Sequence, residues 1–326
     1  MNATTNGMSP EAIAEQIDEL RSSVHRAVVG QDEILNQVLI CLLAAGHVLI
    51  EGVPGLGKTL IVRSIAEAIG GQFSRVQFTP DLMPSDISGH VMFDTKTDTF
   101  RIRKGPVFCN FLLADEINRA PAKTQSALLE VMQEHQVTIE GKSYEVAQPF
   151  LVLATQNPIE QEGTYPLPQA QLDRFLLKVH MNYPREAEEH DMVTRIAAGA
   201  VGDRLDVSAV KQVFEPQQIL ALQQAVANVA VDEQIGHYAV RIVRATRDWN
   251  GIDHGAGPRG SLALLRCARV VALMAARDFV TPDDIKQVVQ PVLRHRIRLT
   301  ADLEIEGYRP DDVLADLITN VEAPRQ

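Results

Sequence analysis

Residues 50–60 read Ile50-Glu51-Gly52-Val53-Pro54-Gly55-Leu56-Gly57-Lys58-Thr59-Leu60. A glycine, four residues and then Gly-Lys-Thr is the spacing of a loop that cradles phosphates. Backbone N–H groups reach phosphate oxygens only where no Cβ blocks the approach, which assigns that role to Gly52, Gly55 and Gly57. Val53, Pro54 and Leu56 complete the loop and Leu60 follows it. Lys58 is expected at the outer phosphates and Thr59 on Mg²⁺. The helix opening there points its positive dipole end at the bound anion.

The flanks agree with that reading. Gly46 to Ile50 reads as a short buried strand before the loop, and Leu60 to Ala68 carries apolar residues at helical spacing after it. Strand-like segments recur at Phe73 to Phe78, Val107 to Ala114 and Phe150 to Thr155, separated by helices or hairpins. Strands alternating with helices predict an α/β fold whose mostly parallel sheet is buried on both faces. One polar hairpin is expected to pair His90–Phe93 with Phe100–Arg103, and a second to pair Gln136–Glu140 with Ser143–Val146 across Gly141-Lys142. Upstream, Ile13, Ile17, Leu20 and Val24 share one helical face and Ile34, Val38 and Leu42 another, with a break at Val28-Val29-Gly30-Gln31. Beyond Pro184 only helical periodicity is visible. Pro216 and Pro282 stand near helix starts, Asp283 and Asp284 in a first turn, and a glycine-rich loop runs from Gly251 to Gly260. The expected division is a disordered stretch over residues 1–10, an α/β nucleotide-binding domain over 11–185 and a helical lid domain over 186–326.

A chain of 326 residues suits about two domains, and its 45% hydrophobic content supports a full core. The formal net charge of −11 means the bulk surface repels nucleic acid and anionic membrane, so a nucleic-acid partner is not expected. Cys41, Cys109 and Cys267 lie far apart in apolar surroundings, as reduced core thiols of a cytoplasmic protein do. Met1 to Pro10 has neither the basic start nor the apolar stretch of a signal peptide. The longest apolar run, Val38 to Gly46, is too short to cross a bilayer.

Phe111-Leu112-Leu113-Ala114-Asp115-Glu116 is an apolar strand ending in two carboxylates. Asp115 is expected to hold Mg²⁺ through its water shell, and Glu116 to polarise the water that attacks a γ-phosphate. Asn157 follows the next apolar strand, where its amide can hydrogen-bond both the γ-phosphate and that water. Arg174, in Leu172-Asp173-Arg174-Phe175, has two readings. It can pair with Asp173 or a neighbouring helix, or it can reach into the nucleotide of the next subunit. A surface ion pair contributes about 0–1 kcal/mol, whereas such a finger is worth about 10³–10⁵ in rate. Arg259, in Gly257-Pro258-Arg259-Gly260-Ser261, is expected to reach phosphate across the domain cleft, and Arg119 is a candidate for an intersubunit contact.

Together these residues resemble the AAA+ ATPases, and within them the MoxR family. The resemblance spans about residues 11 to 320 and rests on GQDEI, EGVPGLGKT, RVQFTPDLMPSDI, DEINRAPAKTQSALLEVMQE, ATQNPIEQEGTYPLPQAQLDRF and GPRGSLALL. It implies that Val28, Val29, Gly30 and Gln31 contact adenine, that Gly52 to Thr59 is Walker A and that Asp115-Glu116 is Walker B. Asn157 then matches sensor 1, Arg174 the arginine finger and Arg259 sensor 2. The two hairpins fall where the family carries an insertion and a hairpin before sensor 1.

The resemblance further implies a cytoplasmic ATPase using ATP and Mg²⁺, assembled as a homo-oligomeric, hexameric ring with sites shared between subunits. Its clients would be proteins to be remodelled or matured, including those with von Willebrand factor A domains, or metal enzymes under assembly. One rival is a nucleic-acid motor or loader, since Lys96, Arg101, Arg103 and Lys104 face Asp94 and Asp98 in the first hairpin, although no aromatic stacking platform is read between them. Another is a binding module gated by nucleotide without hydrolysis, which Glu116 argues against. A GTPase would need an Asn-Lys-x-Asp motif, which the sequence lacks.

Overall fold

The computed structural model describes residues 8–53, 55–158, 163–197 and 206–324. Residues 1–7 of the expected tail and Pro54 of the phosphate loop lie outside them. Helix α1 (Pro10–Val24) has Pro10 at its first position and Ser9 as its cap, the hydroxyl accepting from Ala12 N. Met8 packs on the hydrophobic core. Met8, Ser9 and Pro10 therefore belong to the folded body and not to the disordered stretch expected over 1–10. Ile13, Ile17, Leu20 and Val24 form the buried stripe of α1, each worth about 1.5–3 kcal/mol on burial. Gly30 and Gln31 then take left-handed conformations and turn the chain into α2 (Asp32–Leu43).

The α/β part continues through β1 (Val48–Gly52), α3 (Lys58–Ile69), β2 (Phe73–Gln77), a short α4 (Pro84–Ser88) and the hairpin β3 (Gly89–Asp94) and β4 (Thr99–Lys104). Next come β5 (Phe111–Asp115), α5 (Ala122–Glu134), the hairpin β6 (Gln136–Ile139) and β7 (Lys142–Glu145), β8 (Leu151–Gln156), α6 (Gln169–Leu172) and β9 (Leu177–Met181). Five strands pair in parallel in the order β2-β5-β8-β1-β9. Alternate residues of β5 and β8 feed opposite cores: Phe111, Leu113, Leu151 and Leu153 face α1, α2 and α3, whereas Leu112, Ala114, Val152 and Ala154 face the side of α5. Both faces are covered, which is why these strands read as unbroken apolar runs.

Three details differ from the sequence reading. The edge strand β9 was not anticipated, because only Leu177, Val179 and Met181 are buried and the run is short and half polar. The second hairpin turns at Glu140-Gly141 instead of Gly141-Lys142, with both residues at positive φ, as a two-residue primed turn requires. The C-terminal part is helical, with α7 (Glu186–Ala197), α8 (Pro216–Ala227), α9 (Glu233–Asp248), α10 (Pro258–Met274), α11 (Pro282–Leu293), α12 (Ala301–Ile305) and α13 (Pro310–Asn320). It also holds a small antiparallel ribbon in a region where only helical periodicity was legible: β10 (Ile252–His254), within the glycine-rich loop, pairs with β11 (Arg298–Leu299), which follows α11. This lid shares one continuous apolar core with α1, α2 and α3.

Candidate nucleotide site

The parallel sheet brings the carboxyl ends of β1, β5 and β8 side by side, and a cleft of about 330 Å³ opens there. Such an edge is where open α/β sheets hold their ligands. Gly55, Gly57, Lys58, Thr59 and Leu60 line it from the loop and from α3, with Asp115, Glu116 and Asn157 from the ends of β5 and β8. Gly55 and Gly57 sit at φ of 86° and 83°, in the left-handed region that glycine enters without strain. A Cβ at either would meet nothing within 4 Å among the described residues, so the loop opens onto the cleft.

Gly52 differs from the other two. It closes β1 opposite Met181, and a Cβ there would stand 2.7 Å from the Met181 carbonyl oxygen. Its small size permits close pairing of β1 with β9, whereas the sequence reading gave it to phosphate. Lys58 opens α3 and donates to the Gly52 carbonyl at 2.5 Å. Partial burial pulls its ammonium below the usual lysine range, and the nearby Asp115 and Glu116 charges oppose that shift.

Gln31 reaches the same loop from the break between α1 and α2. Its Nε2 donates to Leu56 O at 2.7 Å, while Oε1 is buried with no hydrogen-bond partner among the described residues. An unsatisfied buried acceptor beside a phosphate loop suits the amino group of a base. Gly30 lies under Glu188 of α7, whose Cδ would be 2.7 Å from a Cβ at that position. Val29 precedes this pair in the turn.

The two carboxylates are held by residues that the sequence reading missed. Thr155, buried near the end of β8, donates to Asp115 Oδ1 at 2.7 Å and accepts from Glu116 N at 2.8 Å. Arg75 and Gln77 stand two apart on β2 and so share one face of it. Arg75 bonds Asp115 Oδ2 at 2.7 Å, and Gln77 Nε2 donates to Glu116 Oε2 at 2.7 Å. Two long polar side chains two apart on a short strand were a signal. Linking them to Asp115 required knowing that β2 pairs with β5 in a register that sets Gln77 opposite Asp115. Arg119, a candidate for an intersubunit contact, meets Glu116 Oε2 at 3.2 Å within the chain.

Arg174 and Arg259 are not in this cleft. Both line a second one of about 400 Å³ that shares no lining residue with the first. Arg174 donates to Leu129 O of α5 at 2.9 Å, and Arg259, in the first turn of α10, lies 3.8 Å from Asp173 Oδ2. Arg259, expected to reach phosphate across the domain cleft, lines the same cleft as Arg174. Exposed Arg266 and buried Arg296 line the same cleft and make it cationic, with Asp173 its acidic member among the lining residues.

The donor set of the first cleft, a threonine hydroxyl and a carboxylate next to a lysine, fits a nucleotide with Mg²⁺. Comparison with known proteins agrees. The profile of the ATPase family associated with various cellular activities (AAA) matches residues 47–177, and that of the AAA lid domain matches residues 244–317. The chain is 44% identical to Chaperone MoxR1 of Mycobacterium tuberculosis, over 97% of this chain and 85% of that protein. It is 32% identical to Protein MoxR of Methylorubrum extorquens, over 91% of each. The crystal structure of a candidate ATPase from Cytophaga hutchinsonii superposes with a TM-score of 0.89 at 40% identity, covering 97% of both chains. The shared residues, the parallel sheet with its helical lid and these relatives together make the chain a member of the MoxR family of AAA+ ATPases.

Proposed function

We propose that this chain hydrolyses ATP with Mg²⁺ in the first cleft, and that it works as a homo-oligomeric ring, a hexamer, whose sites are completed by adjacent subunits. The observation that carries the reading is the separation of two clefts on one chain. One holds Lys58, Thr59, Asp115, Glu116 and Asn157, and the other holds Arg174 and Arg259. A cationic surface without its own phosphate loop is complementary to the phosphates of a second copy. When bound, Mg²⁺ supplies charge neutralisation at the phosphates, held by Thr59 and Asp115. Lys58 binds the outer phosphates. Glu116, positioned by Gln77 and Arg119, takes a proton from the attacking water, which Asn157 orients. Arg174, with Arg259 beside it, serves the neighbour's γ-phosphate.

The turnover would drive remodelling or maturation of client proteins, a role supported by the similarity to a protein named Chaperone MoxR1. Proteins with von Willebrand factor A domains and metal enzymes under assembly are the client classes that the family resemblance points to. Among the described residues no helix is long and apolar enough to cross a membrane.

Steady phosphate release tests the reading. Arg174→Ala and Lys58→Ala should each abolish it while Arg174→Ala keeps nucleotide affinity. Mixing the two proteins should restore part of the activity, because some interfaces then pair an intact loop with an intact arginine. Absence of any recovery, or full activity from a lone polypeptide, would overturn the shared site.

One observation favours a second reading for the first hairpin. Its register puts Phe93 opposite Phe100 on one face and Met92 opposite Arg101 on the other. The two rings meet edge to face at 5.2 Å, and Phe100 is 76% exposed. An exposed aromatic pair, with Arg101 on the opposite face of the hairpin, is therefore present where the sequence showed none, and it suits single-stranded nucleic acid as well as an extended polypeptide. A salt-dependent gel shift of labelled single-stranded DNA, lost in Phe100→Ala, would select the nucleic-acid reading.

A further inference from the structure

Both carboxylate oxygens of Asp115 are committed within the chain. Oδ1 accepts from the Thr155 hydroxyl and Oδ2 from the Arg75 guanidinium, each at 2.7 Å. Arg75 donates as well to Gln77 Oε1 at 3.2 Å, so one guanidinium ties the last two polar positions of β2 to the end of β5. The Arg75 side chain is about half exposed and lines the cleft with Lys58 and Thr59.

We propose that Arg75 is a built-in counter-ion that competes with the divalent cation for Asp115 Oδ2, and so sets the Mg²⁺ concentration at which the cleft takes up nucleotide. This rests on the reading of the cleft as an ATP and Mg²⁺ site. A guanidinium and a dication on one carboxylate oxygen repel each other. Uptake of the metal at Asp115 therefore requires Arg75 to swing away. The side chain can do so: it is half exposed, it has several rotatable bonds, and an ion pair open to water is held weakly. Thr155 remains on Oδ1 and keeps the carboxylate oriented, so the exchange changes the partner of Asp115 without moving it. Arg75 is a positioning residue here, since it acts through Asp115.

The test reads binding, not turnover. A fluorescent ADP analogue is titrated onto the full chain in EDTA and then with increasing Mg²⁺, for wild type, Arg75→Gln and Arg75→Lys. The half-saturating Mg²⁺ concentration should fall about two- to fivefold in Arg75→Gln, the range that corresponds to an exposed ion pair. It should stay near wild type in Arg75→Lys, and affinity in EDTA should be the same for all three. A merely structural role would not move the metal midpoint selectively. An unchanged or raised midpoint in Arg75→Gln overturns the proposal, and so does a loss of affinity in EDTA, which would make Arg75 a phosphate ligand. If wild type binds no analogue at any Mg²⁺ concentration, the nucleotide reading itself fails, a result distinct from the others.

Discussion

Arg296 of the lid and Asp173 of the α/β part meet at 2.7 Å, with the guanidinium all but buried. The same guanidinium donates to Phe175 O at 2.8 Å and Leu176 O at 3.1 Å, so the chain on either side of Arg174 is tied to the segment after α11. Burial pulls the Arg296 pKa down, and the Asp173 charge and hydrogen bond oppose that. Removing Asp173 leaves a buried cation with carbonyl partners alone, a change that typically costs about 3–5 kcal/mol. Asp173→Ala should lower the unfolding free energy by about 3 kcal/mol in urea titrations. Arg259→Ala removes an exposed pair at 3.8 Å on the same carboxylate and should change it by less than about 1 kcal/mol. Equal effects would show that Asp173 is not the joint between lid and finger.

Thr155→Val should keep the fold and damage the site. The isosteric methyl leaves Glu116 N and Asp115 Oδ1 without the partners now at 2.8 and 2.7 Å, each loss worth about 1–3 kcal/mol where the group is buried. Phosphate release should fall at least about tenfold, while Thr155→Ser stays within about threefold of wild type. Comparable rates in Thr155→Val would remove Thr155 from the positioning of both carboxylates.

The loop glycines should separate by readout. Gly52→Ala forces a Cβ against the Met181 carbonyl and should lower the melting temperature by several degrees. Gly57→Ala meets no crowding but is strained at positive φ and narrows the approach to phosphate. Nucleotide affinity should therefore fall more than stability does. Calorimetry and nucleotide titration on the two variants check this.

Stability should decline in mild acid. His47 is buried: Nδ1 accepts from Val152 N at 3.1 Å, so the ring proton is on Nε2, which donates to Met132 O at 3.0 Å. Burial pushes its pKa from 6.5 down to about 4. A depressed histidine lets the unfolded chain bind the proton first, so stability is full above about pH 6.5 and drains as pH falls toward 4. Its share of the loss is about 3 kcal/mol. His295, also lowered by burial, adds in the same direction. Burial alone would raise the Glu51 carboxyl, but His180 and Lys178 hold it at about 2, so its contribution is lost from pH 4.5 downward. Urea titrations between pH 7 and pH 4 should show the decline, with a shallower slope in His47→Asn. A flat profile would contradict the buried neutral ring.

Much of the site was legible because its signals are local. The run from Gly52 to Thr59, the apolar strand ending in Asp115-Glu116 and the amide at Asn157 each need only a few contiguous residues to be recognised. Arg75 and Gln77 were not legible, although they touch the same two carboxylates. Nothing in residues 73–77 says which strand lies alongside, and a register shift of one residue would turn both side chains to the other face. The edge strand β9 escaped for a related reason, since half its positions are polar and its pairing with β1 supplies the stability that its composition does not announce.

By itself the sequence determined the class of fold, the loop that opens α3 and the pair of carboxylates that closes β5, because those depend on residue type and short spacing along one strand or one turn. Only the tertiary structure decided that Gly52 serves strand pairing, that Thr155 and Arg75 divide the two oxygens of Asp115, and that Arg174 and Arg259 stand together away from their own phosphate loop. Those outcomes depend on strand order, register and the seating of the lid, which are settled by packing between segments up to hundreds of residues apart in the chain.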